Sequence, residues 1–487
     1  MGIFDNFLQN WLQLVSLVFL ITSVAIAVII VMEKRSPFKT IAWILALVLL
    51  PIIGLIFYLF LGQEYRKRKL WSRRGIKDLE RIRELTSRQL RRINRDQLET
   101  GGDILEKEKI ISLLLNNSHS LLTTGNEVKL LNNGEATFKA ILNAIDKACH
   151  HIHLEYYIID DDEIGNQLKR ELIKKSREGV EVRVIIDDVG SWSLSKKYIK
   201  ELRDAGVELY PFMEVRFPRL TSRLNYRNHR KIVVIDGEVG FTGGINLADR
   251  YKTGNKKVGL WRDTHIQITG DAVSCLQVIF AADWFFVKKE NLAGDKYFKP
   301  FSEAPGVPVQ ITSSGPDSDW KSIEQAYFTA IAGAKQHVYI TTPYLIPPQD
   351  IVSALKTAAL GNIDVRIIIP ERSDARVSKW CSFSFVNELL EAGVKVYFYK
   401  KGFIHSKILI VDSILSSVGT TNLDFRSFET NFEINAFIYD KEFTERMILQ
   451  FNIDLENSME IVLEEWSQRS WINKLRESLA HIVSPML

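Results

Sequence analysis

Cysteine is scarce: Cys149, Cys275 and Cys381 are an odd number, far apart, with no CxxC pair. That excludes a disulfide framework and a zinc ribbon and fits a reducing compartment. Charge of one sign is also lacking. Lys and Arg total 63 against 59 Asp and Glu, a net of +4, so the chain as a whole is no basic nucleic-acid coat. With 27 Gly and 13 Pro it is not collagen-like or low-complexity, and 46% apolar residues exclude wholesale disorder. The 487 residues allow about three domain equivalents and a sizeable core.

What is present is unevenly spread. Residues 12–32 (LQLVSLVFLITSVAIAVIIVM) and 40–61 (TIAWILALVLLPIIGLIFYLFL) hold no charge. At 1.5 Å per residue each can cross a hydrocarbon core of about 30 Å. Residues 1–62 are therefore expected to be a membrane anchor of two helices. Ala25-Ile26-Ala27 resembles a signal-peptide cleavage site, but Asp5 and the absence of Lys or Arg before the run argue against cleavage. The loop between the runs carries Lys34, Arg35 and Lys39; the segment after them carries Arg66, Lys67, Arg68, Lys69, Arg73 and Arg74. The positive-inside rule then puts the amino terminus and the large carboxy-terminal part in the cytoplasm. Residues 63–100 read as a basic juxtamembrane segment. From Glu64 to Glu99 thirteen Lys/Arg face six Asp/Glu, a net of +7 that leaves −3 for the rest. Pairing on a solvated helix face and attraction to anionic headgroups, at about 1 kcal/mol per cation, are both open readings. Gly101-Gly102 marks a hinge.

Beyond the hinge, short β-branched runs such as VRVIIDD (182–188), KIVVID (231–236), VRIIIP (365–370) and KILIVD (407–412) alternate with helical patterns. This is an α/β fold. The pattern occurs twice: HIHLEYYIID, EVRVIIDD, VELYPF and NHRKIVVID are followed later by HVYITTPYLIP, DVRIIIP, VKVYFY and IHSKILIVD. Two pseudo-twofold-related α/β units, residues 101–305 and 306–487, are expected to form one catalytic core, with equivalent residues meeting at their interface. The tail after Asp440 reads as helices.

The chemistry sits in that repeat. His229 and His405 each have Lys two residues on (Lys231, Lys407), Asp seven on (Asp236, Asp412) and Gly fourteen on (Gly243, Gly419). Asn246 and Asn422 follow at seventeen, Arg250 and Arg426 at twenty-one. One such motif arises by accident; two copies, near 223–250 and 400–427, do not. Positions i and i+2 of a strand share a face, so each His and its Lys project together. Two imidazoles, two ammoniums and two carboxamides suit a phosphodiester: the cations and amides stabilise its oxygens without a metal. One His can attack phosphorus while the other protonates the departing alkoxide. The aspartates have the wrong parity to share the histidine face, and Asp236-Gly237 looks like a hairpin turn. Direct catalysis and structural support stay open for Asp236 and Asp412. Asp263 and Glu433 are candidates for orienting the imidazoles.

The doubled HxKx4D followed by glycine and asparagine resembles the phospholipase D superfamily. Residues 41–62 (IAWILALVLLPIIGLIFYLFLG), HIHLEYYIIDDDEIG, ITTPYLIPPQDI, GTTNLDFRSFETNFEIN and the final SPML are similar to bacterial cardiolipin synthases. Gly244 and Thr420 stand where the superfamily often has Ser, so a hydroxyl is dispensable in the first copy. The resemblance implies phosphatidyl transfer between two phosphatidylglycerols, giving cardiolipin and glycerol, with His229 as nucleophile and His405 as acid. It implies phosphatidylglycerol and cardiolipin as membrane partners, no nucleic acid, no cofactor and no metal. The alternatives are a phospholipase D-type hydrolase or other phosphatidyltransferase, a nuclease (disfavoured by the −3 balance) and a scaffold with a degenerate site (disfavoured by two complete motifs). Cys149, His150, His151 and His153 form a dense cluster that reads as packing rather than a metal site. Trp261 and Trp284 read as core or interface. Tyr156, Tyr157 and Tyr344 are pocket or core, and Glu155 is a candidate for the site rim.

Overall fold

The computed structural model describes residues 2–32, 37–50, 54, 55, 58, 84, 89, 107–215, 225–301 and 305–486. They fall into two units, residues 1–68 with 215–225, and residues 69–214 with 226–487.

In the smaller unit, runs rich in Leu, Ile, Val and Ala form α1 (Gly2–Met32) and α2 (Pro37–Leu49). Ile30, Leu47 and Tyr58 bury against one another, with Trp43 edge-on to Tyr58 at 5.5 Å between ring centroids. The backbone of α1 is one helix of 31 residues covering the whole first uncharged run. Among the described residues, however, no helix is long and apolar enough to cross a membrane. The rest of the second run apart from Leu50, Gly54, Leu55 and Tyr58, the basic segment 63–100 apart from Glu84 and Gln89, and Gly101-Gly102 lie outside the described residues.

The larger unit is α/β and repeats one design. After a two-residue strand, β1 (Leu122–Thr123), come β2 (Asn126–Asn132), β3 (His151–Tyr156), β4 (Glu181–Asp187) and β5 (Glu208–Phe212). Then follow β6 (Ile232–Ile235), β7 (Val239–Gly243), β8 (Leu260–Arg262) and β9 (Thr264–Gly270). The first sheet has the order β2-β9-β7-β6-β3-β4-β5. In the second half β10 (Val309–Ser314), β11 (His337–Thr341), β12 (Leu345–Ile346), β13 (Asp364–Pro370) and β14 (Lys395–Tyr399) come first. They are followed by β15 (Gly402–Ile404), β16 (Ile408–Val411), β17 (Leu415–Gly419), β18 (Leu423–Asp424), β19 (Glu433–Tyr439) and β20 (Ser458–Glu460). The second sheet reads β1-β10-β19-β17-β16-β11-β13-β14-β20. Its inner seven strands match the first sheet strand for strand. In both, the parallel trio (β3-β4-β5, β11-β13-β14) is built from the β-branched runs, as strands covered on both faces require.

The expected boundary at residue 101 needs correction. The helix α3 (Glu108–Ser118) buries Ile110, Ile111, Leu114 and Leu115 in the core of the second half. β1 extends the second sheet by pairing with β10, and Lys107 donates to Asp412 at 2.6 Å. Residues 107–123 thus precede the first half in sequence but pack with the second. An apolar face buries wherever a complementary face is available, and chain order does not dictate which.

Candidate active site

Each motif histidine is placed by backbone from the opposite half. The His229 N–H donates to the Phe432 carbonyl at 2.9 Å, and the His405 N–H donates to the Arg262 carbonyl at 2.7 Å. Parallel pairing of β8 with β15 brings in the second bond, and the Asn228–Phe432 bridge brings in the first.

The side chains cross in the same way. His229 Nδ1 lies 3.0 Å from each carboxylate oxygen of Glu433, and His405 Nδ1 lies 2.7 Å from Asp263 Oδ2. A carboxylate only accepts, so Nδ1 of His229 carries the proton and its Nε2 is left as the basic nitrogen; Nδ1 of His405 meets both the acceptor Asp263 and, at 2.7 Å, the donor Lys407 Nζ. Glu433 is itself held by the Thr420 hydroxyl and by Asn431 Nδ2 at 3.3 Å. Asp263 is held instead by the Thr264 N–H, at 2.7 Å. A Cβ on Gly244 would stand 2.1 Å from Asp263 Oδ1, so the residue paired with Thr420 has no room for a side chain.

Both histidines and both motif asparagines line a cavity of about 450 Å³, together with Arg227, Arg250 and Arg426. Lys231 and Lys407 are fully buried beside it. Lys231 Nζ donates to the His229 carbonyl at 2.8 Å. Lys407 Nζ lies 2.7 and 3.0 Å from Nδ1 and Nε2 of His405 and also reaches the His405 carbonyl. Asn246 is fixed by donating to the Tyr251 hydroxyl at 2.6 Å, whereas Asn422 Oδ1 is buried without a hydrogen-bond partner among the described residues.

Burial sets the electrostatics. It pulls His229 down to about 4, helped by Lys231 and Lys407 and opposed by Glu433. Burial, then Lys407, holds His405 well below the usual imidazole range. Burial lowers Lys231 to about 7 and Lys407 to about 8. Glu433 ends below the ordinary carboxyl range because His229, Lys231 and Thr420 outweigh its burial, while burial leaves Asp263 above it. The site therefore offers imidazoles held neutral and lysines held below their ordinary range, and a phosphodiester anion bound among them favours their charged forms.

Asp236 and Asp412 do not join this cavity. Asp236 accepts from the N–H groups of Cys149, His150 and His151, each at 2.8 Å. Asp412 accepts from Lys335, Gln336 and His337 at 3.0, 2.8 and 3.4 Å, besides its bond to Lys107. Both occupy left-handed turns, at φ 54° and 56°. Counting them with the catalytic groups is corrected accordingly: they tie the far end of each motif strand to its neighbour. Glu155 is fully buried and accepts from Asn228 at 2.6 Å, so it stands behind the site and not on its rim. Tyr157, Trp261 and Tyr344 line the cavity, whereas Tyr156 and Trp284 are core. His151 and His153 are buried, His153 stacking on Phe280 at 4.5 Å and bonding Gln277, whereas Cys149 and His150 are exposed, so the packing reading holds for half of the cysteine–histidine cluster.

The sequence reading passed over Arg227, Asp187 and Asp374. Arg227 pairs with Asp187 at 3.2 Å, and Asp374 lines the cavity. Asp187 ends β4, and Asp374 follows β13 by four residues. The available signal was position: carboxyl ends of parallel strands open onto ligands in α/β sheets.

The family described as "Cardiolipin synthase, PLD-like domain" matches residues 141–284 and 327–455, and "Phospholipase_D-nuclease N-terminal" matches residues 20–63. The chain is 44% identical over 490 residues to the cardiolipin synthase of Alkalihalophilus pseudofirmus, covering 99% of this chain and 96% of that one. It is 44% identical over 475 residues to cardiolipin synthase 2 of Bacillus cereus, covering 96% and 91%. The crystal structure of phosphatidylserine synthase from Haemophilus influenzae matches with a TM-score of 0.59 at 15% identity, covering 79% of this chain and 100% of that one, a likeness of fold.

Proposed function

The chain belongs to the cardiolipin synthase family of phospholipase D-like proteins, and from that premise we propose that it transfers a phosphatidyl group from one phosphatidylglycerol to another, giving cardiolipin and glycerol. The observation that carries the reading is the crossed clamp: two imidazoles on one cavity, each with Nδ1 held by a carboxylate of the other half.

In this reading Lys231, Lys407, Asn246 and Asn422 receive the non-bridging oxygens of the phosphodiester. His229 Nε2 attacks phosphorus as the bond to the glycerol oxygen breaks, forming a phosphatidyl-histidine. The bound anion raises the pKa of His405, whose proton goes to the departing glycerol. A hydroxyl of the second phosphatidylglycerol then attacks phosphorus while His405 takes its proton back, and the bond to His229 breaks. Among the described residues His229 makes its ring hydrogen bonds at Nδ1 alone, whereas Lys407 lies against both ring nitrogens of His405, at 2.7 and 3.0 Å; this supports His229 as nucleophile.

Residues 1–62 serve as the membrane anchor, spanning at about 12–32 and 40–61, with residues 63–100 beside anionic headgroups and the catalytic part in the cytoplasm. The uncharged runs, the helix α1 and the cation counts support this. The test is to incubate membranes containing the full chain with labelled phosphatidylglycerol and EDTA, and to resolve the products. Cardiolipin with free glycerol is the expected result. Phosphatidic acid alone means that water is the acceptor and the protein is a hydrolase.

A further inference from the structure

A duplicated site separates groups that perform the reaction from groups that read the substrate. Two-histidine chemistry needs its parts twice, whereas a group found in one half serves an asymmetric ligand. The pairings Ile152–Ile235 and Val338–Val411 make Ile158 the counterpart of Tyr344, as do the pairings Ile159–Leu247 and Leu345–Leu423. The pairings Ile152–Val182 and Val338–Val365 make β4 and β13 counterparts, and the segments that follow them differ: Asp374 and Ser378 after β13 line the cavity, whereas no residue of 188–195 after β4 does. The second half thus brings a phenol where the first has Ile158, and a carboxylate from a segment whose first-half equivalent stays out of the cavity. In that first-half segment Ser191 is committed to the backbone, donating to the Tyr157 carbonyl and accepting from the Ile159 N–H, each at 3.1 Å.

Tyr344 and Asp374 both line the reaction cavity, beside Ser378. The Tyr344 hydroxyl lies 2.9 Å from each carboxylate oxygen of Asp374, and the Ser373 hydroxyl reaches Oδ1 at 3.3 Å. Lys257, from the first half, holds the Asp374 backbone carbonyl. A carboxylate has about four acceptor positions, so these contacts fix Asp374 without exhausting it. Asp424, the other acid on the cavity, accepts from the Ser427 N–H at 2.7 Å.

An acceptor-only group repels phosphate oxygens and takes a hydroxyl or an ammonium. Arg227, Arg250 and Arg426 line the same cavity, with Lys231 and Lys407 behind it, so an ammonium headgroup meets repulsion that a neutral polyol does not. We propose that Asp374, braced by Tyr344, is a headgroup subsite that accepts hydrogen bonds from the free vicinal hydroxyls of the glycerol headgroup. It holds that glycerol in the donor lipid and as the leaving alcohol, on the side of His405. This rests on the phosphatidyl-transfer reading.

The test compares headgroup release by the full chain in mixed micelles from three donors: phosphatidylglycerol, phosphatidylpropanol, which lacks both free hydroxyls, and phosphatidylethanolamine. The wild type is expected to favour phosphatidylglycerol over phosphatidylpropanol by roughly 10- to 100-fold in kcat/KM, the scale of one or two hydrogen bonds to a charged group. Asp374→Ala should shrink that ratio by about 10-fold or more, and Tyr344→Phe should shrink it by less. Asp374→Asn, of equal size, guards against misfolding, with thermal unfolding measured for each variant. A ratio unchanged in all three variants, or a loss confined to phosphatidylethanolamine, overturns the subsite alone. No headgroup release by the wild type from any donor overturns the transfer reading and the subsite with it.

Discussion

Around His229 a glutamate is steadied by a threonine hydroxyl; around His405 an aspartate is steadied by a backbone N–H. The frame is shared and the solutions differ by one methylene. The longer Glu433 reaches its imidazole with room for the Thr420 side chain. The shorter Asp263 lies where that side chain would be, which Gly244 leaves open. A missing hydroxyl is thus part of a self-consistent alternative and not a lost feature. The comparison also shows what is held constant: Nδ1 clamped by an acid, the histidine N–H bonded across the interface and a lysine buried beside each ring.

The largest effects should come from breaking what both halves share. His229→Ala and His405→Ala should each cut cardiolipin formation by roughly 10²–10⁴-fold, in lipid-product assays on folded protein. Full activity in either variant would remove the two-histidine mechanism.

Next come substitutions that exchange the two solutions. Gly244→Ser forces a side chain against Asp263 and should lower kcat by about 10-fold or more. Thr420→Val, which removes one hydrogen bond worth about 1 kcal/mol, should lower it roughly fivefold. Equal effects would mean that the halves are not built differently.

The lysines give a pH test with opposite signs for stability and activity. Lys231 is held at about 7 in the fold, by burial first, against an ordinary 10.5. Between those values the unfolded chain binds more protons, so stability should rise with pH across that window. Phosphodiester capture needs the charged lysine, so kcat/KM should fall above about 7, with Lys407 following near 8. Urea unfolding at pH 7 and 9.5 should show a smaller gain for Lys231→Met than for wild type.

The smallest effect on chemistry belongs to the motif aspartates. Asp236→Ala and Asp412→Ala each orphan three backbone N–H groups and should cost about 1–3 kcal/mol of stability. The kcat of the protein that stays folded should change far less than in either histidine variant. A kcat as low as theirs would return these residues to the reacting groups.

Much of this was legible in the sequence, and the exceptions share one cause. Matched offsets revealed the repeat and the histidine–lysine pairs, and strand parity already set Asp236 and Asp412 apart. Asp263 and Glu433 could be suspected as orienting acids, but their crossing could not, because it depends on how β8 and β15 pair. Asp374 belongs to no motif, and Tyr344, within ITTPYLIPPQDI, reads equally as pocket or core; only the folded cavity brings the two together. The packing of 107–123 is a long-range choice that local periodicity does not encode.

That packing has a consequence for biogenesis. During translation α3 leaves the ribosome long before β10 and β19, and the first sheet cannot shelter it. Ile110, Leu114 and Leu115 must wait uncovered while the intervening chain is made, an interval suited to a holdase chaperone. Neither half is therefore an independent product of synthesis. A fragment ending before residue 301 strands this helix without its sheet, and one beginning at 306 lacks both the helix and the edge strand β1.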